Sequence, residues 1–159
     1  MKKVLIFSFL ALLLIVGVLT TKAPTTAEPV EKIYTAQELL SEANKLRTEK
    51  GVAPLVIDER LNKSAQWKAQ DMVTTGLNHV SSDSTQGFTK IFGFAPSQCK
   101  YASENIELNT GNYKSPFDWW ISSEPHYNAI LDVKYDLTGF GVAQVGDKIY
   151  YVQHFCDLK

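Results

Sequence analysis

Cysteine and histidine are scarce in this chain, two and three residues respectively among 159, so any metal or thiol chemistry must rest on very few side chains. There is no Cys-x-x-Cys pair and no helical His-Glu-x-x-His segment, the spacings that mark common zinc sites. A phosphate-cradling glycine loop is missing, no internal repeat is visible, and no serine sits in a nucleophile-elbow pattern. Charge of neither sign is in excess: 16 Lys and Arg face 17 Asp and Glu, for a net charge of -1. Nucleic acid and anionic lipid surfaces are therefore not indicated as partners. With 45% hydrophobic and 21% charged residues, the length suits one globular domain and leaves no room for a second.

What the chain does have begins at its N-terminus. Met1-Lys2-Lys3 precedes an apolar run from Val4 to Leu19, broken only by Ser8 and Gly17, the charged-then-apolar order of an export signal. At about sixteen residues the run is long for a signal core and short for a membrane span, so removal and retention as an anchor both stay open. The small residues Thr25, Thr26 and Ala27 offer a cleavage point, and no Cys follows the run to carry a lipid. A cut after Ala27 removes three Lys and takes the net charge to -4. Residues 1–27 are assigned to a signal peptide or anchor, 28–33 to a Thr-, Pro- and Glu-rich spacer, and 34–159 to the folded domain. The expected location is extracytoplasmic, secreted or tethered by the uncleaved segment, with the membrane met only through that segment. Disulfides persist in such compartments, which makes Cys99 and Cys156 a candidate pair, two buried free thiols being the alternative.

Within the domain, Thr35 and Glu38 form a capping-box signature, and Leu39, Ala43 and Leu46 share one face of a helix that Gly51 stops. After Pro54 and Asp58, Leu61, Ala65, Ala69 and Met72 predict a second helix ending near Gly76. His79 then falls at a helix-to-loop junction, ahead of the turn-forming Ser81-Ser82-Asp83-Ser84. Phe88, Ile91, Phe92 and Phe94 suggest a short helix. Ser115-Pro116-Phe117-Asp118 begins another helix through Trp119, Trp120 and Ile121, which Pro125 is expected to end or kink, leaving His126 on a bend. The last segment reads as a hairpin, Gly139 to Val145 and Ile149 to Phe155 about Gly146-Asp147. Helices first and strands last indicate an α+β fold or a three-layer sandwich.

Three stretches, Leu77-Asn78-His79, Ala102-Ser103-Glu104-Asn105-Ile106 and Ser122 through Leu131 (SSEPHYNAIL), together with the closing Tyr150-Tyr151-Val152-Gln153-His154-Phe155, resemble the ordered landmarks of the CAP superfamily. That superfamily groups cysteine-rich secretory proteins, antigen 5 and pathogenesis-related 1 proteins, and its SCP-like domain also occurs in bacterial extracellular members. The resemblance runs from about Tyr34 to Phe155. It implies a three-layer α-β-α sandwich with a C-terminal β-hairpin and a cleft at which His79, Glu104 and His126 converge. Animal and plant members carry a second Glu three residues after the helix Trp. The matching position here is Ser123, with Glu124 one step further, so both join the candidate cleft and the full set is incomplete. The common bacterial Ser-Pro-Gly-His is Ser123-Glu124-Pro125-His126 in this chain, and the residue three after that His is Ala129 rather than Asn.

Two imidazoles and one carboxylate can give a divalent ion such as zinc three ligands and an open position, which makes His79, His126 and Glu104 the candidate metal set. The alternative is that Glu104 accepts hydrogen bonds and holds the cleft together without an ion. The resemblance points first to a binding module for an envelope or extracellular lipid, glycan or protein. A metal-assisted hydrolase of envelope peptide or glycan, with His126 or Glu104 activating water, and a non-catalytic structural surface domain are the alternatives. The adjacent Trp119 and Trp120 cannot both face inward from one helix, so one of them is a candidate contact. His154 is read as structural or exposed, on the strand face opposite Gln153 and Phe155.

Overall fold

The computed structural model describes residues 32–91, 99–110 and 113–157, all within the unit Glu31–Lys159. The assignment of residues 1–27, most of the spacer, and the aromatic residues Phe92 and Phe94 lie outside the described residues. Among the described residues no helix is long and apolar enough to cross a membrane.

Helix α1 (Ala36–Glu49) opens on the anticipated box: Thr35 Oγ1 accepts from the Glu38 amide at 3.2 Å, and Glu38 Oε2 accepts from the Thr35 amide at 2.9 Å. It buries Leu39, Ala43 and Arg47, one turn apart. Burying Arg47 is tolerable because its guanidinium donates to the carbonyls of Ala53, Ile130, Asp132 and Tyr135, tying α1 to distant chain. The two-residue strand β1 (Val56–Ile57) leads to α2 (Glu59–Thr75), capped by Asp58, whose carboxylate accepts from the Arg60 amide at 2.8 Å. A 3₁₀ turn (Gly87–Thr89) takes in Phe88, and Lys90 and Ile91 directly after it are helical. Strand β2 (Ala102–Asn109), helices α3 (Pro116–Ser122) and α4 (Glu124–Leu131), and strands β3 (Leu137–Val145) and β4 (Lys148–Cys156) complete the fold.

The expectation for Pro125 needs correcting. Helix α3 does stop at Ser123, but α4 starts at once with Pro125 in its first turn, where a missing N–H forfeits no helical bond. His126 is therefore held on a helix rather than on a bend.

The four strands form one sheet in the order β1-β3-β4-β2, with β1 parallel to β3 and the other pairs antiparallel. Alternation sorts its side chains into two layers. Ile149, Tyr151 and Phe155 of β4 pack with Leu39, Phe117, Trp120 and Ile130 from α1, α3 and α4. Tyr150 and Val152 of β4 and Ile106 of β2 pack with Ala65, Ala69 and Met72 of α2. The result is the expected α-β-α sandwich closed by a hairpin. Gly139 and Gly141 let α2 lie close on β3, since a Cβ at either would strike the α2 backbone near Leu61 and Ala65. Past its short pairing with β1, the β3 edge is covered by α2 amides: Asn62 Oδ1 accepts from the Phe140 N–H, and Gln66 bonds both the N–H and the C=O of Val142. A Cys99–Cys156 disulfide fastens the chain ahead of β2 to the end of β4, so the candidate pair is bridged.

Candidate functional site

Strand β2 is an edge strand, and its residues project alternately toward α2 and toward the α3–α4 layer. Glu104 points to the α2 side, where its side chain is 1% exposed and each oxygen meets one imidazole. Oε1 accepts from His79 Nδ1 at 2.7 Å and Oε2 from His154 Nε2 at 2.8 Å. Asn105, its neighbour, points the other way and donates from Nδ2 to the main-chain oxygen of His126 at 3.1 Å. Consecutive residues of one strand thus fasten the two segments that carry His79 and His126.

His79 is delivered by the end of α2. Gly76 adopts φ 77°, a left-handed conformation favoured by glycine, and its N–H closes on the Met72 carbonyl. Asn78 Oδ1 accepts from the Val80 amide, and the His79 carbonyl accepts from the Gly87 amide at 2.5 Å. The loop beyond is fastened to α2 through a buried cation: Lys68 Nζ donates to the Val80 carbonyl and to Ser81 Oγ and pairs with Asp71 at 3.7 Å. Burial lowers the Lys68 pKa, and the charges of Glu104 and Asp71 oppose that effect. Gly87 is required by contact, because a Cβ there would run into the Glu104 carboxylate.

The two imidazoles border one groove of about 280 Å³, lined by Leu77, Asn78, His79, Ile106, Trp119 and His126. Trp119 is the outward member of the tryptophan pair, its ring 4.8 Å from that of His126, while Trp120 is fully buried. His126 Nδ1 is buried with no hydrogen-bond partner, and burial together with the nearby His79 lowers its imidazole pKa. The Glu104 carboxyl would be raised by burial, but bonds from His154 and His79 outweigh this and hold it below the ordinary glutamate value. A larger groove of about 500 Å³, lined in part by Lys63, Trp67 and Phe140, has no imidazole or carboxylate in its walls, and another of about 280 Å³, lined in part by Glu42, Glu49 and Asp118, has carboxylates but no imidazole.

Glu104 thus stands behind His79 rather than in the groove wall. Among the described residues no three His, Cys, Asp or Glu side chains form a ready metal-holding group. Ser123 occupies the N-cap position of α4 without a side-chain capping bond, Glu124 is exposed in its first turn, and neither lines the groove. His154, read from sequence as structural or exposed, is fully buried, and it is the site residue the sequence reading missed. Its Nδ1 lies 2.7 Å from Ser64 Oγ. The one signal available was its pairing register with Glu104 across β2 and β4.

A family model described as the cysteine-rich secretory protein family matches residues 40–155. The uncharacterized protein YkwD of Bacillus subtilis (strain 168) is 32% identical over 128 residues, which is 80% of this chain and 48% of that protein. The chain therefore spans about half the length of this curated relative. An outer surface protein from Borrelia burgdorferi superposes with a TM-score of 0.68 at 21% identity, over 77% of this chain and 92% of its own. An extracellular protein containing a SCP domain from Bacillus anthracis str. Ames gives 0.64 at 23% identity, over 77% of this chain and 40% of its own. At such identities the two structures speak for the fold, and with the family model and the ordered landmarks they lead to one assignment: the chain belongs to the cysteine-rich secretory protein family, the CAP superfamily.

Proposed function

We propose that this chain is an extracytoplasmic binding module whose groove takes a divalent cation, zinc by donor chemistry, between His79 and His126. The observation that carries the reading is the pair of imidazoles on one groove: one is oriented by a buried carboxylate, and the other has a buried Nδ1 without a partner. Imidazole nitrogen suits zinc, and a carboxylate behind a ligating histidine is the usual arrangement that fixes its ring and raises its basicity. The residues therefore fit the ion, with His79 and His126 as its holders and Glu104 as the group behind. A bound cation would supply a Lewis-acidic point with open positions for an oxygen or nitrogen of a ligand. Leu77, Ile106 and Trp119 give the groove apolar walls for the organic part of an envelope lipid, glycan or protein. Placement outside the cytoplasm is supported by the export-type N-terminus and by the surface and extracellular proteins that share the fold.

Isothermal titration of the full chain with zinc near neutral pH, beside the His79→Ala/His126→Ala double variant, tests the reading. Saturable heat in the wild type that the double variant lacks is expected. Matching traces would overturn it.

A further inference from the structure

We infer that His154 and Ser64 are positioning residues that, acting through Glu104, hold His79 in the tautomer with its proton on Nδ1 and a bare Nε2 for the groove. An ionised Glu104 has nothing to donate, so both short contacts belong to N–H groups of its partners, Nε2–H of His154 and Nδ1–H of His79. The last torsion of a glutamate side chain is soft, and a carboxylate held at one oxygen can turn about it. Held at Oε2 by His154, the plane of Glu104 is fixed and Oε1 stays aimed at His79.

The order in this chain of contacts comes from its buried end. His154 is fully buried on β4, and its main-chain oxygen accepts from Thr138 Oγ1 at 2.9 Å. Its Nδ1 lies 2.7 Å from Ser64 Oγ, on the buried face of α2; with Nε2–H given to Glu104, a neutral ring has a bare Nδ1 that accepts the Ser64 hydroxyl proton, and the Leu61 carbonyl, 3.0 Å from the same oxygen, is that hydroxyl's other acceptor. Helix and central strand thus clamp one imidazole, that imidazole holds the carboxylate, and the carboxylate orients the His79 ring, whose side chain sits on a loop and is 47% exposed. Gly87 closes the remaining side against Glu104. The inference concerns the His79 ring in the metal-free protein, so it holds or fails separately from the cation reading.

Nitrogen-15 NMR of the histidine side chains in the full chain, with the Cys99–Cys156 bridge formed and no metal added, reads the tautomer. In the wild type His79 should carry its proton on Nδ1. His154→Gln, whose amide nitrogen reaches the place of imidazole Nε2, should keep that state. His154→Leu, which fills space without a donor, should lower the Nδ1–H to Nε2–H ratio about tenfold, the scale of one hydrogen bond to a charged group. Should the leucine variant fail to fold by its backbone spectrum, Ser64→Ala gives the same readout with a smaller shift in the same direction. An Nε2–H tautomer in the wild type, or an unchanged His79 in the folded leucine variant or its serine substitute, overturns the inference. Zinc titration of the same samples keeps the two readings apart, because a wild type that ignores zinc sinks the cation site and leaves the tautomer result standing.

Discussion

Glu104 and Asn105 are adjacent on β2 and point to opposite faces of the sheet, one bonded to the His79 ring and the other to the His126 backbone. The strand edge thereby acts as the spacer that sets two imidazoles from different layers on one groove. Asn105→Ala removes the second tie from a residue that is 1% exposed. The expected cost is about 1–2 kcal/mol of stability, read as a lower urea midpoint. Zinc affinity should weaken while the His79 tautomer is unchanged.

Acid should destabilise the fold in two stages. The Glu104 carboxyl and the His126 imidazole both lie below their ordinary values, so each takes up a proton less readily folded than unfolded. Their contributions are complete above the unfolded values, about 6.5 for histidine and about 4.3 for glutamate, and are lost as pH falls through the folded ones. Urea midpoints measured from neutral pH into acid should therefore decline first through the histidine range and again through the carboxylate range. His126→Gln should flatten the upper stage and Glu104→Gln the lower. A flat wild-type profile contradicts the linkage.

Gly87 owes its place to the carboxylate above it. Gly87→Ala puts a methyl group against Glu104, and overpacking of this kind costs about 1–3 kcal/mol. If Glu104 yields by turning away, the His79 Nδ1 proton should lose its partner and exchange faster with water in NMR spectra. A variant as stable as the wild type, with that proton retained, would show that the contact relaxes without consequence.

The Cys99–Cys156 bridge joins residues separated by 57 positions, and closing a loop of that length stabilises by about 4 kcal/mol in the chain-entropy model. The Cys99→Ser/Cys156→Ser variant should unfold at markedly lower urea concentration than the oxidised wild type. Coincident midpoints would show that the sandwich is indifferent to the bridge.

Much of this fold was legible because local chemistry and global packing agree. The Thr35–Glu38 box, the apolar stripe from Leu61 to Met72 and the Gly146-Asp147 turn each stand where the sequence puts them. Strand β2 escaped notice because Glu104, Asn105, Glu107 and Asn109 make it look polar, although all four are buried. His154 was hidden for a related reason: its partner lies 50 residues away, and only the pairing register of β2 with β4 brings them together. Pro125 misled because proline inside a helix and proline in a first turn look alike until the preceding helix is seen to stop. His79 and His126 were readable as landmarks, but the position of Glu104 behind His79 depends on which way β2 faces.

Anomalous scattering at the zinc edge, from crystals of the full chain grown with the metal, tests the cation site most directly. One peak is expected, about 2.0–2.1 Å from a nitrogen of His79 and from a nitrogen of His126, with Glu104 still bonded to His79 and His154. A peak held by Glu104 in place of either imidazole, or no peak in the groove at saturating zinc, would contradict it.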